Sequence, residues 1–254
     1  MNAHCRKLLA GFAVGLFWLT LWFLLAALVG NELLLPSPLQ VLCRLFVLAQ
    51  GAEFWRTVFR SILRVLAGIS TATMLGVLLA ALTEKSRAAR LLLAPLMTVI
   101  KSTPVASFII LALIWLGRDI LPMVITGLMV LPVVWANVSA GIAGQDPRLL
   151  EMAAVYQLNR MSVLRNITLP TVLPYFRSAL SSALGLGWRA GIAAEVLTVP
   201  QLSIGRRIYE SKLYLETTEL FAWTLTVILL SLLIERVLLR LVRAGGQRGG
   251  HAHA

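Results

Sequence analysis

The chain has 254 residues, of which 59% are hydrophobic and only 13% are charged, and its formal net charge is +12. A soluble domain carries about twice that charged fraction, so the composition excludes an ordinary water-soluble domain. The basic residues stand at the ends of apolar runs, where membrane proteins keep them, and this argues against nucleic-acid binding.

Long apolar runs predict an all-α membrane protein. A helix needs roughly 20 apolar residues to cross a bilayer. Six stretches reach or approach that length, and we expect each to form a transmembrane helix: residues 8–30, 58–83, 92–117, 120–143, 173–199 and 219–242. The first run is too long for a signal peptide, so we expect it to be retained as a helix.

The segments outside these runs indicate the orientation of the chain. Lys and Arg flank the runs unevenly, which predicts that both termini and the loop at about 144–173 are cytoplasmic. On the other side, Ser37 and Pro38 are typical of the N-cap and first residue of a short surface helix. We expect one transmembrane domain over residues 1–254, ending in a Gly-rich, disordered tail at 244–254.

The loop at 144–173 contains a predicted helix of its own. Asp146 followed by Pro147 is typical of an N-cap and a proline at the first helical position. Glu151 is then expected in the first turn, where the helix dipole favours an anion. Ala153 and Ala154 would let this helix enter a groove on another protein, although a solvated loop with a short helix is an open alternative.

This loop resembles the permease subunits of binding-protein-dependent ABC importers, whose cytoplasmic loop carries E-A-A-x-x-x-G-x9-I-x-L-P. Five positions match in register: Glu151, Ala153, Ile167, Leu169 and Pro170. Met152 replaces the first alanine and Gln157 replaces the glycine. The runs at 34–38 and 63–68 are similar to the sulfonate, taurine and nitrate branch of that family. The resemblance implies that a separate ATPase docks on Asp146, Glu151, Met152, Ala153, Ala154, Gln157, Ile167, Leu169 and Pro170.

The glycine of the motif ends the coupling helix in the family, and its absence here changes the expected geometry. Gln157 would be strained at a positive φ. We therefore expect the helix to continue to about Leu158 and to turn at Asn159, because Asn tolerates that conformation best among the other residues. Pro170 and Pro174 are expected to end the loop before the next membrane helix.

The resemblance implies an ABC-importer permease fold in the cell inner membrane, with a five-helix core at 58–242. It also implies three kinds of protein partner: an ABC ATPase subunit, an extracytoplasmic solute-binding protein and a second permease copy, most simply in a homodimer. The sequence has no Walker A pattern, so ATP hydrolysis would belong to the partner and the chain would catalyse no reaction. We expect contact with membrane lipid and no metal or cofactor. The branch suggests a small anion as the solute, while related permeases carry neutral heterocycles and vitamin precursors.

Several residues are candidates for a translocation pathway. Lys101, Arg189 and Glu195 are ionisable residues in or near apolar segments, where each costs a few kcal/mol unless it is paired or hydrated. Arg189 and Glu195 are not spaced as an i,i+4 pair, so each should face a cavity or another helix. The complete candidate set is Lys101, Pro104, Asn137, Trp188, Arg189 and Glu195. Ordinary helix packing and interfacial positions explain such residues about as well.

A secondary transporter or channel that couples ions through Lys101, Arg189 and Glu195 is the main alternative. That class often shows inverted repeats and charges near the midplane. The charges are present here, but no repeat is detectable. A membrane-embedded enzyme would need converging catalytic groups, and the membrane segments offer no His, no Cys pair and no Asp pair.

Overall fold

The computed structural model describes the backbone of residues 3–247 and the side chains of residues 12–237. Across this range the regular secondary structure is entirely helical. A π-helix, Leu164–Thr168, lies between the eighth and ninth α-helices. The α-helices are α1 Ala3–Val29, α2 Pro38–Gln50, α3 Ala52–Lys85, α4 Arg87–Ser102, α5 Val105–Ala112, α6 Leu121–Ala143, α7 Pro147–Val155, α8 Arg160–Val163, α9 Leu169–Thr198, α10 Ile204–Leu213 and α11 Thr217–Gln247.

The predicted all-α membrane architecture is confirmed, and the number of crossings is partly supported. Four of the described helices, α1, α3, α6 and α11, are long and apolar enough to span a bilayer, and a fifth span results if α4 and α5 are counted together. The helix α9 is long enough but less apolar. It packs against α3, α5, α6, α10 and α11, so most of its surface meets protein instead of lipid.

The third predicted segment, 92–117, is wrong as a single helix. The chain forms α4 and α5, which are bent by 101° at the break between them. Pro104 disfavours helical geometry at the preceding residue, and Thr103 is accordingly extended, with φ −74° and ψ 127°. The Thr103 hydroxyl donates to the carbonyl of Val99 at 2.7 Å, and the Ser102 hydroxyl donates to that of Thr98 at 3.0 Å. Both hydroxyls thus satisfy their hydrogen-bonding capacity on the last turn of α4, where the N–H of Thr103 also donates to the carbonyl of Val99 at 3.0 Å.

The centre of the bundle is the contact of α3, α6 and α9. Val65, Val130 and Trp188 are buried in its apolar core. Gly187 brings the backbone of α9 close to the other two helices, since a Cβ at this position would lie 2.9 Å from both Ile69 and Val130. Small residues permit such close approach of helix backbones in a membrane.

The predicted start of α2 is confirmed. Ser37 is its N-cap, and the side chains of Ser37 and Gln40 form a reciprocal capping box. Two side-chain bonds attach the neighbouring linker: Trp22 Nε1 donates to the carbonyl of Pro36 at 3.2 Å, and the Thr217 hydroxyl donates to that of Leu33 at 2.7 Å. The linker between α1 and α2 is therefore attached to the carboxyl-terminal half of α1 and to the amino end of α11.

The carboxyl end of the chain differs in part from the expected tail. The helix α11 continues to Gln247, so the first residues of the predicted disordered segment 244–254 are helical. Residues 248–254 lie outside the described part of the chain.

Candidate coupling surface and polar groups of the bundle

The helix α7 begins as the sequence predicts. Asp146 is its N-cap and accepts a hydrogen bond from the backbone N–H of Arg148 at 2.9 Å, and Pro147 is the first helical residue. The expected position of Glu151 is wrong, because the first turn of α7 contains no acidic residue. Glu151 follows in the second turn, where the dipole of the helix end acts on it less. Its side chain is exposed.

The surface of α7 is exposed and rich in apolar residues. Ala153 is the one residue of this helix that is buried, with 3% of its surface exposed. It is therefore not available to a partner, contrary to the expectation from the sequence. Val155 and Tyr156 are 80% and 72% exposed. The other large hydrophobic residues exposed between 149 and 161 are Leu149, Leu150, Met152, Leu158 and Met161. Exposed apolar residues in this number are typical of a surface that contacts another molecule.

Gln157 ends the helix at the position of the motif glycine, and the predicted turn at Asn159 is wrong. Gln157 has φ +50°. Its N–H donates to the carbonyl of Ala154 at 3.1 Å, and the N–H of Leu158 donates to that of Ala153 at 2.9 Å. This pair of bonds is the Schellman motif, whose hydrogen bonds offset the strain of a non-glycine residue in the left-handed region. Asn159 has a different function, as the N-cap of α8, and its side chain accepts from the N–H of Ser162.

The loop does not end at its prolines. The backbone stays helical through α8, the π-helix and α9, so residues 160–198 form one continuous rod. Proline clashes with the carbonyl of the residue four positions earlier, which for Pro170 is Asn166 within the π-helix. The wider π turn accommodates this proline. Pro174 lies inside α9. Among the other motif positions, Ile167 is 6% exposed and serves packing, whereas Leu169 and Pro170 are exposed.

Four of the six pathway candidates retain accessible surface. Lys101 is exposed in the last turn of α4, and Pro104 is exposed at the break before α5. Asn137 is half-buried and donates to the carbonyl of Val133 in its own helix at 2.8 Å. Arg189 is exposed on α9, and its Nε donates to the carbonyl of Gly185 at 3.0 Å.

The other two candidates, Glu195 and Trp188, are enclosed by protein. Trp188 is 2% exposed, and its indole N–H donates to the carbonyl of Val227 on α11 at 3.2 Å. Glu195 is completely buried and forms an ion pair with Arg64 on α3 at 2.7 Å. In this conformation neither residue lines an open cavity.

Sequence reasoning missed Arg64 as the partner of Glu195. Arg64 lies in the predicted 58–83 segment, and only 10% of its side chain is exposed. An arginine inside an apolar run needs a counter-charge, just as Glu195 does. This shared requirement is a signal that could have paired the two residues from the sequence. Among the described residues, no ion pair joins Lys101, Arg189 and Glu195 to one another.

Comparison with known proteins identifies the family. Residues 72–245 match the profile of the family described as binding-protein-dependent transport system inner membrane component. The chain belongs to this family.

Relatives of this permease chain cover nearly its whole length. It is 28% identical to a probable ABC transporter permease protein of Brucella melitensis biotype 1 over 244 residues, which are 94% of this chain and 96% of that protein. It is 26% identical to the taurine transport system permease protein of Escherichia coli K12, over 85% of this chain and 81% of the relative. It is 28% identical to the nitrate import permease protein of Synechocystis, over 86% and 82% of the two chains.

The family resolves the main question left by the sequence. The chain is an ABC importer permease, as the loop motif indicated, and its relatives include taurine and nitrate permeases, in keeping with the runs at 34–38 and 63–68. Its apolar helices and its relatives make it a multi-pass inner-membrane protein. Family membership also argues against the secondary transporter or channel considered from its charges.

Proposed function

We propose that this permease imports a small solute delivered by an extracytoplasmic binding protein, and that a separate ABC ATPase drives it by docking on the 146–170 loop. The exposed apolar surface of α7 carries this proposal. The helix α7 leaves Val155 and Tyr156 almost fully accessible to solvent, and the adjacent Glu151 adds a charge. An apolar patch with a polar edge is the composition expected of a protein docking surface.

Force on α7 has a direct route into the bundle. The Schellman turn at Gln157 and the N-cap at Asn159 join α7 to α8 with defined geometry. The rod from Arg160 to Thr198 then passes from the coupling surface through the middle of the bundle. A movement of α7 is therefore transmitted along α9, which supports the alternation of inward-open and outward-open states. The polypeptide makes and breaks no bond in this cycle.

The exposed face of α9 is the proposed wall of the translocation pathway. Ser182, Leu186, Arg189 and Ala193 follow one another along this face and are all exposed. Arg189 is too costly to place against lipid, so we propose that the face meets a water-filled space closed by a second permease copy. Lys101, Pro104 and Asn137 are further candidates for this wall. Arg189 and Lys101 favour a small anion, in keeping with the taurine and nitrate named for two relatives.

The proposed arrangement has the 144–173 loop and both termini in the cytoplasm. The core at 58–242 would then form the pathway with its counterpart in the second copy. The helix α1 stands apart from this core, since most of its residues from Phe12 to Val29 are exposed. Lipid would surround it.

Affinity capture of the ATPase tests the docking proposal. Glu151→Lys reverses one charge at the surface, and Val155→Asp places a charge in its apolar part. Both variants should insert in the membrane normally, retain much less of the ATPase and lose uptake. Glu235→Lys on α11 is a matched control, because Glu235 is also exposed but lies outside α7. Normal ATPase capture and normal uptake with both α7 variants would refute the proposal.

A further inference from the structure

A polar junction joins four parts of the chain at the end of α9 that is remote from α7. Arg64 on α3 contacts Glu195 at 2.7 Å through Nη1. Its Nη2 lies 3.6 Å from Asp119, in the segment between α5 and α6, and 3.4 Å from the carbonyl of Gln201. The N–H of Gln201 donates to Asp119 at 3.2 Å. With a rise of about 1.5 Å per residue, Glu195 lies roughly 40 Å along α9 from Leu169, the first residue of this helix.

The Glu195 side of the junction is fixed. Glu195 has no exposed surface, and its second carboxylate oxygen accepts from the Ser61 hydroxyl at 2.7 Å and from the N–H of Gly205 at 3.2 Å. A Cβ at Gly205 would overlap Glu195, so α10 is packed directly against this carboxylate. A buried charge with this many partners is expensive to release.

The Asp119 side is weak by comparison. The Asp119 side chain is 65% exposed, and its distance to Arg64 is that of a loose ion pair. Water and salt compete effectively for such a pair. Within the described residues, the bond from Gln201 to Asp119 is the only hydrogen bond that joins segment 113–120 to the 199–203 loop.

The loop held by Asp119 is under conformational strain. Val199 and Leu202 both have φ +49°, and they flank Gln201. A β-branched residue in this region is a genuine outlier, and strain of this type persists only where the surroundings impose it. The contacts of Gln201 with Asp119 and Arg64 are located between the two strained residues. The contact with Asp119 is thus one of the bonds that fix the backbone of this loop.

We propose that Asp119 and Gln201 form the releasable contact of an extracytoplasmic gate, and that Arg64 and Glu195 are its fixed anchor. In this structure, Asp119 holds segment 113–120 against the 199–203 loop. When the contact breaks, the two segments separate at the outer end of the pathway while α3, α9 and α10 remain joined. The assignment of this end as the outer one rests on the proposed importer function. The weak contact of Asp119 with Gln201 and Arg64 does not depend on that function.

A distance measurement on the full-length chain in lipid nanodiscs tests the gate. Spin labels are attached to cysteines that replace Gly117 and Gln201, with Cys5 and Cys43 changed to serine. A Cβ at Gly117 meets no atom within 4 Å, and Gln201 makes its junction contacts through its backbone. Within each chain of the otherwise native protein, the two labels should be separated by one short distance. Asp119→Ala should add a longer population, and Asp119→Asn should add a smaller one because its amide oxygen can still accept from Gln201.

Glu216→Ala is the matched control, since it removes another exposed carboxylate from a loop between helices. It should leave the distance unchanged. An unchanged distance in both Asp119 variants, or an equal change in the Glu216 variant, would overturn the gate. The measurement needs no ATPase, so its result is separate from the capture experiment. If the α7 variants lose ATPase capture as expected and the label distance stays unchanged, the gate alone is rejected. If the α7 variants capture the ATPase normally and the distance lengthens as expected, the docking proposal alone is rejected.

Discussion

At the scale of single residues, Gln157 determines the shape of the coupling surface. It takes the left-handed conformation that the family motif assigns to glycine, and two hydrogen bonds to Ala153 and Ala154 close the turn. The motif position thus keeps its geometry although the residue differs. The conformation costs a non-glycine residue about 1–2 kcal/mol, and the substitution leaves that strain in the loop.

Replacing Gln157 with glycine should relieve this strain and stabilise the end of α7 by up to about 1 kcal/mol. Amide hydrogen exchange in the peptide covering α7 should slow by up to about five-fold. Tyr156→Gly is the control, because Tyr156 has φ −80° and gains nothing from glycine. Faster exchange in Gln157→Gly than in the native chain would contradict the strained-turn account.

Individual residues differ in how far the sequence alone predicts their conformation and partners. The caps at Ser37 and Asp146 depend on neighbouring residues, and both were predictable. The conformation of Gln157 was not, because intrinsic preference argued against it and the Schellman bonds outweighed that preference. The partner of Glu195 is distant in sequence, and only the fold brings Arg64 to it.

At the scale of helices, α9 is defined by its neighbours more than by its own composition. Its glycines and ionisable residues weaken the signal of a membrane span, yet it runs through the centre of the bundle. The sequence predicted its limits within a few residues. It did not predict that the helix continues backwards through the π turn to Arg160, because prolines usually mark a helix start.

Close packing of α9 leads to a prediction for its glycines. Gly187→Ala should lower the free energy of unfolding by about 1–3 kcal/mol, because the new Cβ would press on Ile69 and Val130. Gly185→Ala, on the same helix, meets only Arg189 at 3.8 Å and should be neutral or slightly stabilising. Thermal unfolding of the two variants in detergent measures the difference. Equal melting temperatures would show that the contact of α3, α6 and α9 is not tightly packed.

At the scale of the whole molecule, the coupling surface and the proposed gate lie at opposite ends of one rod. We therefore expect α7 and α10 to face opposite compartments. The sequence predicted this arrangement from apolar runs and flanking charge. It could not predict the 101° break between α4 and α5. A hydropathy profile gives the length of an apolar segment but not the direction in which its helices run.

Cysteine labelling tests the topology. In a chain with Cys5 and Cys43 changed to serine, a cysteine replacing Lys212 should react with an impermeant maleimide on intact cells. One replacing Arg148 should react only after permeabilisation. Both native residues are exposed, so access to the reagent should depend on the compartment. Labelling of position 148 but not 212 on intact cells would reverse the orientation.

The central claim is that the exposed face of α7 receives the ATPase, and site-specific photo-crosslinking tests it most directly. A photoreactive amino acid replaces Val155 in the permease, which is co-expressed with its ABC ATPase. Leu233 on α11 is the control position, because it is also apolar and exposed. We predict a crosslink to the ATPase from position 155 and none from position 233. No crosslink from position 155, or equal crosslinking from both positions, would contradict the account.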